Sequence, residues 1–260
     1  MSENKNIINE QEPQDDHMIE GRNAVLEAFR AGKTIDKLYI QDGLRDGVIS
    51  SILRDAKKKD VIVNFVSKEK LDQMSPDRKH QGVMAITAAF SYAEVDDILE
   101  KAKEKGEDPF IILLDDIEDP HNLGAIIRTA NLAGAHGVII PKRRAVGLTS
   151  TVAKTSAGAL NYTPVAKVTN ISATIEELKE RGLWFVCADM GGEKMYDLNL
   201  KGPIGLVIGN EGEGVSRLVK ENCDFVAGIP MKGQINSLNA SVAAGVLAYE
   251  IVRQRIIKGQ

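Results

Sequence analysis

Cysteine, aromatic residues and long apolar runs are all scarce in this chain. Cys187 and Cys223 are the only cysteines among 260 residues, which excludes a disulfide-stapled scaffold and fits a reducing compartment. Both lie in apolar, strand-like runs, so we expect inert core thiols. Aromatic residues make up 5% of the chain, so its cores must be built from Ile, Leu, Val and Ala. No apolar run approaches the roughly 18 residues of a membrane span and no signal peptide is visible, so a cytoplasmic protein without membrane contact is expected.

Excess positive charge is also absent. The net charge is -4, and residues 1–16 hold one lysine and five acidic residues, so the remainder is balanced. That tail is polar and lacks hydrophobic periodicity, which predicts disorder. Residues 17–91 carry 13 basic and 10 acidic residues. Overall charge therefore gives no support for a nucleic-acid partner, although a local patch could bind one. The histidines and cysteines show no ligand spacing, so no metal is expected.

The hydrophobic pattern divides the chain into two α/β modules. Residues 17–91 alternate short helices and strands, residues 92–108 are charge-rich and are predicted to be a helical linker, and residues 109–260 alternate more regularly. The second module has near-continuous apolar strands at 110–116, 137–141, 183–189, 204–209 and 225–231. Such strands indicate a parallel sheet covered on both faces. Ligands bind such sheets outside the carboxyl ends of the strands, which directs attention to the loops at 116–122, 209–215 and 231–239.

The first of these loops opens a helix. Asp119 and Pro120 are suited to its cap and first turn. Asn122 follows, and it either satisfies the helix terminus or faces a ligand. Arg128 lies between apolar residues further along, where a partly buried arginine needs an anionic partner and a solvated one does not.

The second loop, within GLVIGNEGEGVSRL at 205–218, is rich in glycine and has no lysine. Glycine-rich loops after strands usually bind phosphate, yet Glu211 and Glu213 would repel one. The G-x-x-G-x-G order also reverses the dinucleotide fingerprint, which disfavours a nucleotide-dependent oxidoreductase. The glycines favour close backbone approach to a compact ligand, and Glu211 suits a cationic or hydroxyl-bearing one. A tight turn with solvated glutamates remains the alternative.

The third loop leads into a long helix predicted from Leu238 to about Ile257. Ser237 suits the N-cap, and that role alone could explain it. Asn239 and Ser241 fall in the predicted first turns, where they are mediocre helix formers.

The long helix has two faces without charge. One face carries the small residues Ala240, Ala244 and Ala248. The other is an apolar stripe formed by Val242, Val246, Tyr249 and Val252. A second apolar face favours a subunit interface. Coverage by a helix at residues 92–105 is the alternative.

The three loops together resemble one family. The motifs NLGAIIRTA, LVIGNEGEGVS and IPMKGQINSLNASVAAGVLAYE are similar, in order and spacing, to the signature motifs of the SpoU (TrmH-like) branch of the SPOUT RNA methyltransferases. EGRNAVLEAF and KHQGVMAI, at 20–29 and 79–86, resemble the RNA-binding N-terminal domain of that family. The resemblance covers about residues 17–260 and looks closest to the bacterial 23S ribosomal RNA guanosine 2′-O-methyltransferases.

The resemblance implies a fold, a cofactor and a reaction. The fold would be a small N-terminal α/β RNA-binding module and a C-terminal parallel-sheet domain with a deep trefoil knot, which topology rules reject by default. A methyl group would pass from S-adenosylmethionine to a ribose 2′-hydroxyl of RNA. The cofactor contacts implied, largely through backbone, are Gly209, Ile229 and Leu238. The catalytic residues implied are Arg128, Asn122, Glu211, Ser237 and Asn239.

Several expectations follow from this likeness. Since a guanidinium is almost never neutral, we expect Arg128 to bind phosphate and stabilise negative charge and not to act as a base. A homodimer through the C-terminal domain is expected. The expected substrate is 23S ribosomal RNA, with transfer RNA as the alternative, and a catalytically inactive ribosome-assembly protein is the alternative function. RNA contacts are expected in residues 17–91, at Arg22, Arg78, Lys79 and Gln81. A solvated basic turn is the alternative.

Overall fold

The chain divides into two units between Ala88 and Ala89, each built around its own β-sheet. The structure is a computed structural model and describes residues 18–75, 77–235 and 237–258. The acidic segment 1–16, predicted to be disordered, lies outside the described residues.

The first unit is a small α/β sandwich with a mixed sheet. Its strands follow the order β1-β4-β2-β3, with β2 and β3 parallel and β4 antiparallel to both of its neighbours. The predicted alternation of short helices and strands is present. The elements are β1 (Met18–Glu20), α1 (Arg22–Arg30), β2 (Ile35–Gln41), α2 (Gly47–Lys58), β3 (Ile62–Val66), α3 (Lys68–Met74) and β4 (Val83–Thr87).

The second unit contains the predicted all-parallel sheet, with six strands where five were predicted. Its strand order is β10-β8-β9-β5-β6-β7. A 3-10 turn lies at Ala159–Asn161. The strands are β5 (Phe110–Asp115), β6 (Gly137–Pro141), β7 (Val165–Val168), β8 (Trp184–Lys194), β9 (Ile204–Gly209) and β10 (Phe225–Gly228). The helices are α4 (Val95–Lys105), α5 (Pro120–Leu132), α6 (Ser150–Thr155), α7 (Ile171–Glu180), α8 (Arg217–Asn222) and α9 (Ala240–Lys258).

Both faces of this sheet are covered because alternate strand residues point to opposite sides. Ile111 and Leu113 of β5 pack in a buried cluster with residues of α4, α7 and α8. Phe110 points the other way, where the guanidinium of Arg255 on α9 lies 5.3 Å from its ring centre. The predicted parallel sheet buried on both faces is therefore confirmed. The predicted knot stays a prediction.

Residues 92–108 do not form the separate linker that was predicted. They lie within the second unit, and α4 buries Ile98 completely against the sheet. A Cβ added to Gly137 would lie 2.5 Å from Ile98, so β6 and α4 are in close contact. The segment looked like a linker because its exposed face is densely charged, whereas its apolar residues recur at helical spacing and face the core.

The final helix has one buried and one exposed apolar face. Ala244 and Ala248 are fully buried, so the small-residue face is part of the core. Val242 and Tyr249, by contrast, are 49% and 51% exposed. Because α4 lies on the opposite face of the sheet, it does not cover this stripe. Within the described ranges, no helix is long and apolar enough to span a membrane.

Candidate active site

Strand order brings two of the three predicted loops to one place. β5 and β9 are neighbours in the centre of the sheet, and Asp115 pairs with Gly209 at their carboxyl ends. The loops that follow these strands therefore leave the sheet side by side. Asp115 also fixes the second loop, because its Oδ2 accepts a hydrogen bond from the Ser216 backbone N–H at 2.7 Å.

The glycine-rich loop is held closed by its own first residue. Asn210 Oδ1 accepts hydrogen bonds from the backbone N–H groups of Gly212 and Glu213 at 2.9 and 2.7 Å. A Cβ on Gly209 would lie 2.0 Å from the backbone carbon of Gly214. Close backbone approach at Gly209 was predicted for a ligand, and the approach that requires glycine there is that of the loop to itself.

Asn122 is not needed to cap its helix. Asp119 does so as predicted, since its Oδ1 accepts from the His121 N–H at 2.9 Å and Pro120 occupies the first turn. The Asn122 side chain is 6% exposed and donates from Nδ2 to Glu211 Oε1. This contact joins the first loop to the second and favours a functional role for the asparagine.

Asn239 joins the third loop to the other two. Its Nδ2 donates to Asn122 Oδ1 at 2.9 Å and lies 3.5 Å from Glu211 Oε1. Its Oδ1 accepts from the N–H and hydroxyl of Ser241 at 2.9 and 2.6 Å, so it is the N-cap of α9. The prediction that Ser237 caps this helix is therefore wrong, because α9 begins at Ala240 and not at Leu238.

Glu211 is thus the carboxylate on which the three loops converge. Both amide donors reach Oε1, which leaves Oε2 available as an acceptor. Glu213, two residues on, forms no hydrogen bond through its carboxylate with any described residue. Glu211 is therefore held in a specific contact, whereas Glu213 fits the alternative of a solvated glutamate.

A cleft opens beside this network. It is lined by all three predicted cofactor contacts, Gly209, Ile229 and Leu238. Glu211 and Ser237 line it as well. Ser237 is exposed there, whereas Asn122 and Asn239 are not part of the cleft wall. Among the lining residues that the sequence interpretation missed are Asp189, Met190, Ala227 and Met231. They come from β8, β10 and the loop after β10. The polar Asp189, at the end of the apolar run within β8, is the one that a local signal could have found.

The lining chemistry fits S-adenosylmethionine. Ile208, Ile229 and Leu238 offer apolar surface for an adenine ring. Glu211 and Asp189 suit a sulfonium and an ammonium group. The ion pair with Lys220 at 2.8 Å, together with the Gly191 N–H, lowers the pKa of Asp189 and keeps it ionised. This combination also explains why a loop without lysine can hold a ligand.

Arg128 is not placed among these residues. It is exposed on α5, and its guanidinium has no hydrogen bond or ion pair with the part of the chain that the structure describes. Glu211 does not contact it within one chain, because the contacts of Glu211 are the two asparagines. Arg128 shares its helix face with Leu132, one turn further on and 65% exposed.

The predicted RNA contacts of the first unit fall into two groups. Arg22 is engaged within the protein: Nη1 lies 2.6 Å from Asp46 Oδ2, and Nε donates to the Gln81 carbonyl at 3.0 Å. Gln81 in turn accepts from the Arg22 backbone N–H at 3.4 Å. Arg78 and Lys79 are exposed. The structure therefore disfavours Arg22 and Gln81 as contacts and leaves the other two free to serve.

The two cysteines lie together, and neither lines the cleft. Cys187 is fully buried, and Cys223 packs against the same cluster. The hydrogen bond with Cys187, reinforced by burial, raises the pKa of the Cys223 thiol, which makes it a poor nucleophile. No group of three His, Cys, Asp or Glu residues in the described part of the chain could hold a metal ion.

Comparison with known proteins gives the class. Residues 109–249 match the SpoU rRNA Methylase family, and residues 18–93 match the RNA 2′-O ribose methyltransferase substrate-binding family. The chain is 50% identical to YacO of Bacillus subtilis over 93% of its own length and 97% of the length of YacO. YacO is assigned to the TrmH family of tRNA/rRNA methyltransferases. A relative from Staphylococcus haemolyticus with the same assignment is 49% identical over 93% of this chain and 97% of its own.

Solved structures agree with these relatives. The SpoU methyltransferase AviRb from Streptomyces viridochromogenes, in complex with AdoMet, superposes with a TM-score of 0.59 at 28% identity, covering 92% of this chain and 90% of that one. The TrmH/SpoU tRNA modifying enzyme of A. aeolicus gives 0.54 at 28% identity over 62% of this chain and 86% of that one.

This chain belongs to the SpoU/TrmH family of RNA methyltransferases. It is an S-adenosylmethionine-dependent RNA 2′-O-ribose methyltransferase.

Proposed function

We propose that this enzyme methylates the ribose 2′-hydroxyl of a guanosine in 23S ribosomal RNA. The observation that carries the reaction is the convergence of Asn122 and Asn239 on Glu211 at the edge of a cleft suited to S-adenosylmethionine. The choice of 23S ribosomal RNA rests on the motif resemblance, and the relatives assigned to tRNA/rRNA methyltransferases are compatible with it. We expect the enzyme to act in the cytoplasm, with its RNA.

The cofactor supplies a methyl group already activated on a sulfonium. The chain would hold it through the backbone near Gly209, Ile229 and Leu238, with Asp189 on the cationic side. The task left to the protein is to position the nucleophile and manage its proton.

Glu211 would orient that nucleophile. Since Asn122 and Asn239 both approach Oε1, Oε2 can accept a hydrogen bond from the ribose 2′-hydroxyl. A carboxylate fixed by two neutral donors needs no rearrangement to do so, which is the form of preorganisation that lowers a barrier. Ser237, exposed in the cleft, can donate a further hydrogen bond to the ribose.

Arg128 would bind the adjacent RNA phosphate and stabilise the negative charge that develops on the oxygen. Its exposed guanidinium is free to do so, because it has no hydrogen bond or ion pair with the described residues. The exposed stripe of α9, with Leu132 on α5, supplies an apolar surface for a homodimer. A two-fold axis through this surface would bring Arg128 of one subunit toward its partner.

In the first unit, Arg78 and Lys79 would contact RNA phosphates. Transfer RNA is the second candidate substrate, favoured by the likeness to the A. aeolicus tRNA modifying enzyme. An inactive assembly protein is disfavoured by the intact polar network at Glu211.

Mapping 2′-O-methylated positions in ribosomal and transfer RNA, with and without this gene, tests the proposal. Loss of one guanosine methylation in 23S RNA, restored by the wild type and not by Glu211→Gln, supports it. Loss of a position in transfer RNA selects the second substrate, and no change in either RNA contradicts both. Titration with S-adenosylhomocysteine against NAD checks the cofactor separately.

A further inference from the structure

Residues 77–82, in the loop that joins α3 to β4, include two whose backbone conformation is unfavourable. Arg78 and Gln81 have φ values of 52° and 50°, and Gly82 has 79°. Left-handed backbone conformation is costly for residues with a Cβ, so two such residues in one short loop must be fixed by other contacts. Strain of this kind is found where a precise geometry serves a function.

His80 supplies the contacts at the centre of the 77–82 loop. It is 4% exposed, its Nδ1 accepts from the Gly82 N–H at 2.9 Å, and its Nε2 lies 2.9 Å from Asp72 Oδ1 on α3. Since Nδ1 is an acceptor, the ring proton sits on Nε2 and is donated to Asp72. This hydrogen bond lowers the pKa of Asp72. The imidazole therefore closes the loop on itself and also ties it to a helix.

Arg22 is a second anchor. It binds the Gln81 carbonyl and Asp46, the N-cap of α2, as described above. The 77–82 loop is therefore held by contacts with the start of α1, which is itself tied to the start of α2, and with helix α3. The side chain of His80 is buried, whereas those of Arg78 and Lys79, which precede it, are exposed.

The residues held outward are both cationic. The Arg78 guanidinium makes no hydrogen bond or ion pair with any described residue. The Lys79 side chain is 76% exposed, and its pairing at 3.0 Å with Asp77, which is 62% exposed, is weak because both groups are solvated. A rigid loop that projects two available cations is suited to a polyanion whose charges have fixed spacing.

We infer that His80 is a positioning residue for RNA, which holds Arg78 and Lys79 outward for contact with backbone phosphates through its bonds to Gly82 and Asp72. The inference rests on the proposed function, since it assigns the RNA contact of the same enzyme. The competing explanation is that His80 only stabilises the first unit.

Paired substitutions in the full chain separate the two bonds of His80. His80→Asn keeps an acceptor near the Nδ1 position and cannot reach Asp72, whereas His80→Gln can reach Asp72 and loses the acceptor. Asp72→Ala removes the same bond as His80→Asn, and Asp72→Asn retains an acceptor and should rescue it. Ile52→Val, a fully buried change on α2 outside the loop, is the control for lost stability alone.

Binding to a 23S ribosomal RNA transcript and to mixed transfer RNA is then measured across about 50 to 200 mM salt. Arg78→Ala and Lys79→Ala should each reduce the slope of log affinity against log salt by about 1. His80→Asn, His80→Gln and Asp72→Ala should reduce it by between about 1 and 2 and raise the RNA KM about tenfold, with kcat and S-adenosylhomocysteine affinity unchanged. Asp72→Asn and Ile52→Val should keep the wild-type slope.

Wild-type slope and KM in His80→Asn, His80→Gln and Asp72→Ala would overturn the inference, and so would an equal loss in Ile52→Val. A wild type that binds RNA with the predicted slopes but transfers no methyl group would defeat the proposed function and leave the role of His80 standing. A wild type that binds neither 23S ribosomal RNA nor transfer RNA would overturn both the proposed function and the role of His80.

Discussion

Arg128 provides the sharpest test of how the active site is completed. It lies six positions after Asn122 on α5, which places the two about 9 Å apart along the helix and roughly 120° apart around it. Asn122 is buried beside Glu211, and Arg128 is exposed on the face that carries Leu132. We therefore predict that Arg128 serves the active site of the partner subunit in a homodimer.

Arg128→Ala should lower kcat by about 10²–10³, the usual cost of removing one preorganised charge contact. Because its guanidinium has no partner in the described chain, the free energy of unfolding should change by less than about 0.5 kcal/mol. Arg217→Ala, which removes an 88% exposed arginine of the same unit, is the control and should leave both quantities unchanged. Sedimentation of each variant confirms that the dimer persists.

Mixed dimers decide whether the arginine acts across the interface. Arg128→Ala and Glu211→Gln chains carrying different tags are co-expressed, and heterodimers are isolated by sequential affinity steps. If Arg128 acts on the partner, both defects fall in one site and the other site is intact, so about half of the wild-type rate returns. If it acts within its own chain, each site has one defect. A heterodimer no faster than its parents, or an active wild-type monomer, refutes the reasoning.

Three further predictions follow from burial and contacts. Glu211→Gln should lower the single-turnover rate of methyl transfer about a hundredfold and Glu213→Gln less than threefold, since only Glu211 is held by Asn122 and Asn239. Equal losses in the two variants would show that the loop acts through general charge. Tyr249→Glu should give a folded monomer by sedimentation, whereas Ala248→Glu should unfold the second unit, because these neighbours are 51% and 0% exposed; a dimer in the first variant would remove the α9 stripe from the interface. Ile98→Ala should cost about 2–5 kcal/mol in the urea transition of the second unit and leave that of the first unchanged, and no shift would restore the linker interpretation of residues 92–108.

Local sequence patterns predicted the central elements well. β6 and β9 have the predicted bounds because both are continuous apolar runs bounded by turn residues. β7 was missed, since Val165–Val168 is a short edge strand with two half-buried residues and no distinct pattern. β8 extends to Lys194, past its apolar run, because its polar end pairs with β10 across a register shift. Such pairing depends on a distant segment and leaves no local signal.

Side-chain partners were harder to foresee than elements. Arg22 looked like an RNA contact because an arginine at a helix start is usually solvated, yet Asp46 and Gln81 take up its donors. Ser237 looked like the cap of α9, and Asn239 has that position. In each case the residue type was informative, and the choice between a protein partner and a ligand depended on what the fold placed nearby.

The sequence by itself determined that polar residues follow the strands of a parallel sheet, and that they would collect at its carboxyl edge. Periodicity and the geometry of parallel strands suffice for this conclusion. Only the tertiary structure decided that β9 lies beside β5, that Asn122 and Asn239 meet on Glu211, and that Arg128 faces away from them. Strand order and side-chain partners are set by packing between segments about 90 to 120 residues apart, which no local pattern encodes.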